Sequence, residues 1–195
     1  DAMAPRASAE SLAALGIEVL AAEGRFIDRR TLSAGDRLVR ARRFVIATGS
    51  RLVVPDIAGL AEVPYFTSAS IFDNPRKLTH LVIVGGSPAA VELAQALRRL
   101  GSEVTLLETE LPLAGHDPEL AEIALRRLVD EGVDIRTHCP VLRVEARSLG
   151  IGVAIRSGDG EAILDASHIL VASGEAPFLD GLEIPGVLKV DTDVV

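Results

Sequence analysis

The stretch His80-Leu-Val-Ile-Val84-Gly85-Gly86-Ser87-Pro88-Ala89-Ala90-Val91-Glu92-Leu-Ala-Gln-Ala-Leu-Arg-Arg-Leu100, continued by Gly101-Ser-Glu-Val-Thr-Leu-Leu-Glu108, decides the fold. It reads as an apolar strand, a tight glycine turn, an amphipathic helix, a second apolar strand and an acid. That order predicts a dinucleotide-binding βαβ unit: the strand delivers the chain to Gly85-Gly86, and the helix aims its unpaired N–H groups, roughly half a positive charge, at a pyrophosphate. Glu108 follows Gly85 near the spacing of about 20 residues at which a carboxylate accepts from an adenosine ribose. The Gly-x-Gly-x-x-Gly spacing falls on Gly85, Ser87 and Ala90, so only the glycine needed for the turn is kept. Ala90 is a mild change. Ser87 cuts both ways, since its Cβ crowds the phosphate position while its hydroxyl can donate to a phosphate. Pro88 suits the first turn of a helix, where its missing N–H has no intrahelical partner.

Outward from this unit the pattern stays α/β. A helix is expected at 118–130, with Asp117 as N-cap, Pro118 in the first turn and Gly132 as the stop. Val133 to His138 is the next parallel strand. The segments 142–146, 152–156 and 162–164 alternate like an antiparallel meander, and 168–172 returns as a buried strand before Ser173-Gly174. The strands at 80–84, 103–108, 133–138 and 168–172 are expected to be neighbours in one parallel sheet. Before the unit, a helix ends near residue 15. Short segments at 17–20, 24–27, 30–33 and 37–40 form a meander, and Arg43 to Thr48 reads as an apolar strand ending at Gly49. A connection dotted with Pro55, Gly59, Pro64 and Pro75 puts a boundary near 74/75. Both halves close on the same device, Ala47-Thr48-Gly49 and Ala172-Ser173-Gly174, but only the second has a βαβ unit ahead of it.

Composition bounds the function. With 48% hydrophobic and 25% charged residues among 195, the sequence is that of an ordinary globular protein, and no run approaches the roughly 18 apolar residues of a membrane span. Residues 1–8 lack a signal-peptide pattern, so a cytoplasmic protein is expected. A net charge of -8 argues against nucleic acid as a partner. The arginine pairs at 29–30, 42–43, 98–99 and 126–127 read as solvated faces or carboxylate partners. The single cysteine, Cys139, excludes an internal disulfide or a Cys-x-x-Cys motif and reads as a small residue at a strand end. His80, His116, His138 and His168 fall at no ligand spacing, so no metal site is expected.

Taken together, Ile46-Ala-Thr-Gly-Ser50, Pro55-Asp-Ile-Ala-Gly59-Leu60, Tyr65-Phe-Thr-Ser68, the Gly85 to Glu92 turn with Glu108, and Val171-Ala-Ser-Gly-Glu-Ala-Pro177 resemble the flavoprotein pyridine nucleotide-disulfide reductases. That family includes dihydrolipoamide dehydrogenase, glutathione reductase and mercuric reductase, and the form of the turn is most similar to the mercuric reductases and their dihydrolipoamide dehydrogenase-like relatives. The resemblance covers nearly the whole chain. It implies a Rossmann-like parallel sheet with a β-meander over 75–195 as an NAD(P)-binding domain, preceded over 1–74 by the second part of an FAD-binding domain. In such enzymes electrons pass from nicotinamide through FAD to an active-site disulfide. By resemblance, Thr48 and Gly49 would approach FAD. Gly85, Gly86, Ser87 and Ala89 would hold the NAD pyrophosphate, Glu92 would lie near the nicotinamide, Glu108 would take the ribose, and Gly174 would close the nicotinamide pocket. Glu92 would equally serve the helix dipole, and Gly174 a simple turn. Glu175 departs from the arginine often found after the Gly174 position.

The amino-terminal FAD glycine motif, the Cys-x4-Cys disulfide, the later flavin motif and the carboxy-terminal interface have no counterpart. The resemblance therefore implies the central portion of such an enzyme, homodimeric as a parent, with no catalytic residue of its own. Glu108, with no basic residue in 108–112, favours NAD over NADP, and charge and composition point to no nucleic-acid or membrane partner. The other reading is a nucleotide-binding sensing module without redox activity.

Overall fold

The computed structural model describes residues 8–158 and 160–184. The reading of residues 1–7 and the tail 185–195 of the expected nucleotide domain lie outside them. The described residues fall into two compact units, 8–49 with 177–184, and 50–176.

In the first unit Ser8 caps helix α1 (Ala9–Ala14), its Oγ accepting the Ser11 N–H at 3.2 Å. Strands β1 (Gly24–Asp28), β2 (Thr31–Ala34) and β3 (Arg37–Arg40) form the expected antiparallel meander. Phe26 meets Phe44 edge to face, with centroids 4.9 Å apart, the geometry favoured by the ring quadrupoles. Two expectations fail here. Residues 17–20 and 43–48 form no strand. An apolar run supplies a sheet face but not a partner, the meander stops at three strands, and Val45 is left 92% exposed.

The second unit contains β4 (Ser50–Leu52), β5 (Phe66–Thr67), β6 (His80–Val84), α2 (Pro88–Arg99), β7 (Glu103–Leu107), α3 (Pro118–Asp130), β8 (Asp134–Arg136), β9 (Val141–Arg147), β10 (Gly150–Ser157), β11 (Gly160–Ala166), β12 (His168–Val171) and β13 (Glu175–Pro177). The order β5-β12-β6-β7-β8 is parallel throughout, with α2 crossing between β6 and β7. The four expected strands are thus neighbours. The last expected helix is also as read: Asp117 accepts the Glu119 and Leu120 N–H groups, and Pro118 opens α3.

Three layers explain why the strands are apolar at nearly every position. Leu81, Ile83, Val104, Leu106 and Leu170 face α2 and α3, meeting Ala90, Leu93, Ala94 and Leu128. Val82, Val84, Leu107, Ile169 and Val171 face the antiparallel β9-β10-β11 layer, meeting Val144, Ile151, Val153 and Ile155. A sheet covered on both faces needs both members of each alternating pair to be apolar. The packing boundary lies at 49/50, earlier than the start of the βαβ pattern, because β5 pairs with β12 and Leu60, Val63 and Ile71 join these two cores.

The arginine pairs at 98–99 and 126–127 divide their work. Arg99 and Arg127 both pair with the Glu131 carboxylate at 2.7 Å, and Arg98 donates to the Glu131 and Ser102 carbonyls, so the ends of α2 and α3 are tied together. Hydrogen bonding to Arg99 first, and the charges of Arg99 and Arg127 after it, hold the Glu131 carboxyl down from 4.5 to about 2. A depressed carboxyl stabilises the fold above its unfolded pKa and loses that contribution as pH falls toward the folded value. Glu131→Gln should therefore be less stable than wild type at neutral pH, with the gap closing as pH falls from 4.5 to about 2. Urea midpoints across that range check this.

Candidate functional site

The carboxyl ends of β12, β6 and β7 lie side by side, and the chain leaving each contributes to one place. Past β6, Gly85 turns with φ +113°, and its N–H donates to the Leu107 carbonyl at 2.9 Å. A Cβ at Gly85 would lie 2.4 Å from the Ser173 Cα and 2.5 Å from the Ala172 carbonyl oxygen. Glycine is required there on both counts. Past β12, Gly174 turns with φ +136°, its carbonyl accepting the Val53 N–H, and a Cβ there would meet nothing within 4 Å.

Ser87 is the N-cap of α2: its Oγ accepts the Ala90 N–H at 3.2 Å. Pro88 has no N–H and Val91 already donates to the Ser87 carbonyl, which leaves the Ala89 N–H as the first-turn donor for an anion. The Ser87 hydroxyl, having accepted from Ala90, keeps its own proton for donation.

Glu108, half-buried, is the first residue past β7. Its N–H donates to the Arg136 carbonyl and its carbonyl accepts the Cys139 N–H, each at 2.9 Å. One carboxylate oxygen, Oε1, accepts from the Thr109 N–H at 2.6 Å, the Thr109 hydroxyl at 2.9 Å and the Glu110 N–H at 3.3 Å. The other, Oε2, faces the glycine turn: a Cβ on Gly86 would meet it at 2.9 Å. The structure thus brings Gly85, Gly86, Ser87, Ala89, Glu108 and Gly174 onto one end of one sheet.

The remaining expected residues lie elsewhere. Glu92 is exposed on α2. Thr48 and Gly49 belong to the first unit, where the Thr48 hydroxyl donates to the Phe178 carbonyl and the Gly49 carbonyl accepts the Phe178 N–H. Glu175 accepts the Ser50 hydroxyl. Cys139 is buried with its thiol on the Arg156 carbonyl, and burial pushes the thiol up. Among the described residues no cluster could hold a metal ion, and no helix is long and apolar enough to cross a membrane.

Pro112 and Leu113 were not legible as site residues. Leu113 donates its N–H to the Gly86 carbonyl at 2.8 Å, with φ +61°. The adjacency of Gly86 to Gly85, one glycine more than the turn itself needs, was the available sign of a close approach.

A profile of the pyridine nucleotide-disulphide oxidoreductases matches residues 6–193. A mercuric reductase of Bacillus cereus is 32% identical over 170 residues, covering 87% of this chain and 27% of its own length. That of Acidithiobacillus ferrooxidans is 37% identical over 166 residues, covering 83% and 30%. The HOCl-induced flavoprotein disulfide reductase RclA from Escherichia coli superposes with a TM-score of 0.69 at 30% identity, over 89% of this chain and 40% of that one. The chain belongs to the pyridine nucleotide-disulphide oxidoreductase family, whose members use FAD and NAD(P)H, and it spans less than a third of the length of these mercuric reductases.

Gly85→Ala should destabilise the second unit by about 2–4 kcal/mol, because backbone on the facing strand cannot yield and φ is positive. Ser87→Ala should cost about 1 kcal/mol through the lost cap. Urea denaturation of the two variants measures both, and a smaller effect for Gly85→Ala than for Ser87→Ala would contradict the geometry.

Proposed function

We propose that this chain is the NAD(P)H-binding central portion of a flavoprotein disulfide reductase-like oxidoreductase. One observation supports this reading above the others: the Glu108 carboxylate, at the end of β7, faces the glycine turn at the end of β6, with the amino end of α2 beside it. A dinucleotide fits that donor set. The Ala89 N–H, the Ser87 hydroxyl and the positive end of α2 suit the pyrophosphate, Glu108 Oε2 suits a ribose hydroxyl, and the open space at Gly174 suits the nicotinamide side. NAD(P)H would supply a hydride, and FAD in the parent would accept it. The residues here bind and orient; none is assigned a proton or a covalent bond. Residues 1–74 are read as the second part of the FAD domain, 75–195 as the nucleotide domain, and the parent as a homodimer.

NADH should bind in preference to NADPH. Glu108 accepts from a free 2′-hydroxyl and repels a 2′-phosphate, and the segment Glu108-Thr-Glu-Leu-Pro112 holds no basic residue. A lost buried hydrogen-bond partnership is typically about 1–3 kcal/mol, or roughly 5- to 150-fold. Calorimetric titration of both cofactors into wild type and Glu108→Ala tests this: equal wild-type affinities, or a preference that survives the substitution, would reject it. The isolated chain should also lack stoichiometric FAD and show no NADH-dependent disulfide or mercuric reductase turnover, read by flavin absorbance and NADH oxidation.

A further inference from the structure

Gly86 is a glycine for a different reason from Gly85. Its φ lies outside the left-handed region, so the backbone itself would accept alanine. What excludes a side chain is the loop after β7: a Cβ on Gly86 would lie 2.6 Å from the Pro112 Cα, and 2.9 Å from both the Pro112 Cβ and Glu108 Oε2. Pro112 is buried, and Leu113 is latched to the Gly86 carbonyl by its N–H, so the loop is held down on this glycine. Leu113 is half-buried against the helix-side core and keeps a left-handed φ of +61°, a conformation a bulky residue holds only when its surroundings impose it.

The Glu108 carboxylate travels with that loop. Its Oε1 accepts two main-chain N–H groups, those of Thr109 and Glu110, and the Thr109 hydroxyl. Those bonds fix the carboxylate to the backbone of Thr109 and Glu110, while the Glu108 main chain is held by the Arg136 carbonyl and the Cys139 N–H. A side chain on Gly86 would therefore press on Pro112 and on the Glu108 carboxylate at once, because both lie within 3.0 Å of its Cβ position.

We infer that Gly86 is a positioning residue for nicotinamide-cofactor selectivity: the absence of a side chain there seats the 108–113 loop, and the seated loop sets where Glu108 meets the adenosine ribose. The inference rests on the reading of Glu108 as the ribose acceptor. It differs from a phosphate-cradling role for Gly86, which would alter the binding of NADH and NADPH alike.

The test is a double-mutant cycle on the whole chain, with NADH and NADPH titrated calorimetrically into wild type, Gly86→Ala, Glu108→Ala and the double variant. In the expected result the wild-type preference, roughly 5- to 150-fold, falls to within about 3-fold of unity in Gly86→Ala, as it does in Glu108→Ala, and the double variant loses nothing further. If Gly86→Ala weakens both cofactors by the same factor and keeps the ratio, the inference is overturned while the reading of Glu108 stands. If wild type shows no preference, that reading fails, and the inference with it. Should Gly86→Ala not fold, Pro112→Gly approaches from the other side of the contact by loosening the loop with Gly86 intact. A fall in the ratio then supports the inference, and an unchanged ratio overturns it.

Discussion

The clearance between the chain leaving β6 and the chain leaving β12 is what the second unit is arranged around. The two strands run parallel in register from His168 opposite Leu81 to Val171 opposite Val84, and the Ala172 N–H extends the ladder one bond further, to the Val84 carbonyl. Both chains must then leave the sheet at the same level. Two backbones diverging from one point collide unless one carries no side chain, and the 2.4 Å between a would-be Gly85 Cβ and the Ser173 Cα measures how little room there is. A left-handed turn at Gly85 relieves the conflict and sends the chain into α2. The same geometry that avoids a clash thereby points a helix amino terminus across the strand ends, where an anion is stabilised.

From that turn the constraint spreads along α2 and into the next loop. The helix is held at its start by the Ser87 cap and at its end by Glu131, which gathers Arg99 and Arg127 while the Glu131 carbonyl takes Arg98. A helix fixed at both ends presents its first-turn N–H group at a defined place rather than over a range, the preorganisation that ligand binding rewards. On the far side, the chain after β7 is braced between the glycine turn and the exit of β8, through Leu113 to Gly86 and Cys139 to Glu108. Glu108 is thus an acid on a doubly anchored loop.

What was legible in the sequence was whatever local chemistry decides alone. The apolar runs at 80–84, 103–107 and 168–171, the cap Asp117, and the acid after the second strand each follow from periodicity and capping, and the structure places them as expected, whereas the capping role of Ser87 came only with the structure. Segments whose structure depends on a partner were not legible. Residues 43–48 have the composition of a strand yet form none, since composition cannot state what lies alongside. Conversely, Phe66–Thr67 is too short to register as a strand by alternation but pairs with β12 and extends the sheet. Glu131 carries no local sequence signal of its role, which depends on two helix ends distant in sequence converging on it. Gly86 is the subtler case, because its backbone conformation is ordinary and the reason for a glycine lies across space, in Pro112.

The site is assembled within one compact unit, and this bears on what binding to the chain can report. Gly85, Gly86, Ser87, Ala89, Glu108 and Gly174 all belong to residues 50–176, so every contact read for a nicotinamide dinucleotide is made by one sheet and its loops. Thr48 and Gly49 belong to the other unit and already spend a hydroxyl proton and a carbonyl on Phe178. Thr48 Oγ1 then keeps acceptor capacity, and Gly49, at φ +77° with no atom within 4 Å of a Cβ, keeps its open face. A flavin reading of that turn must use those groups, whereas the nicotinamide reading needs nothing from it. On the proposed reading, dinucleotide affinity measured on this chain reports on the strand ends of the second unit, independently of whether the first unit ever meets a flavin.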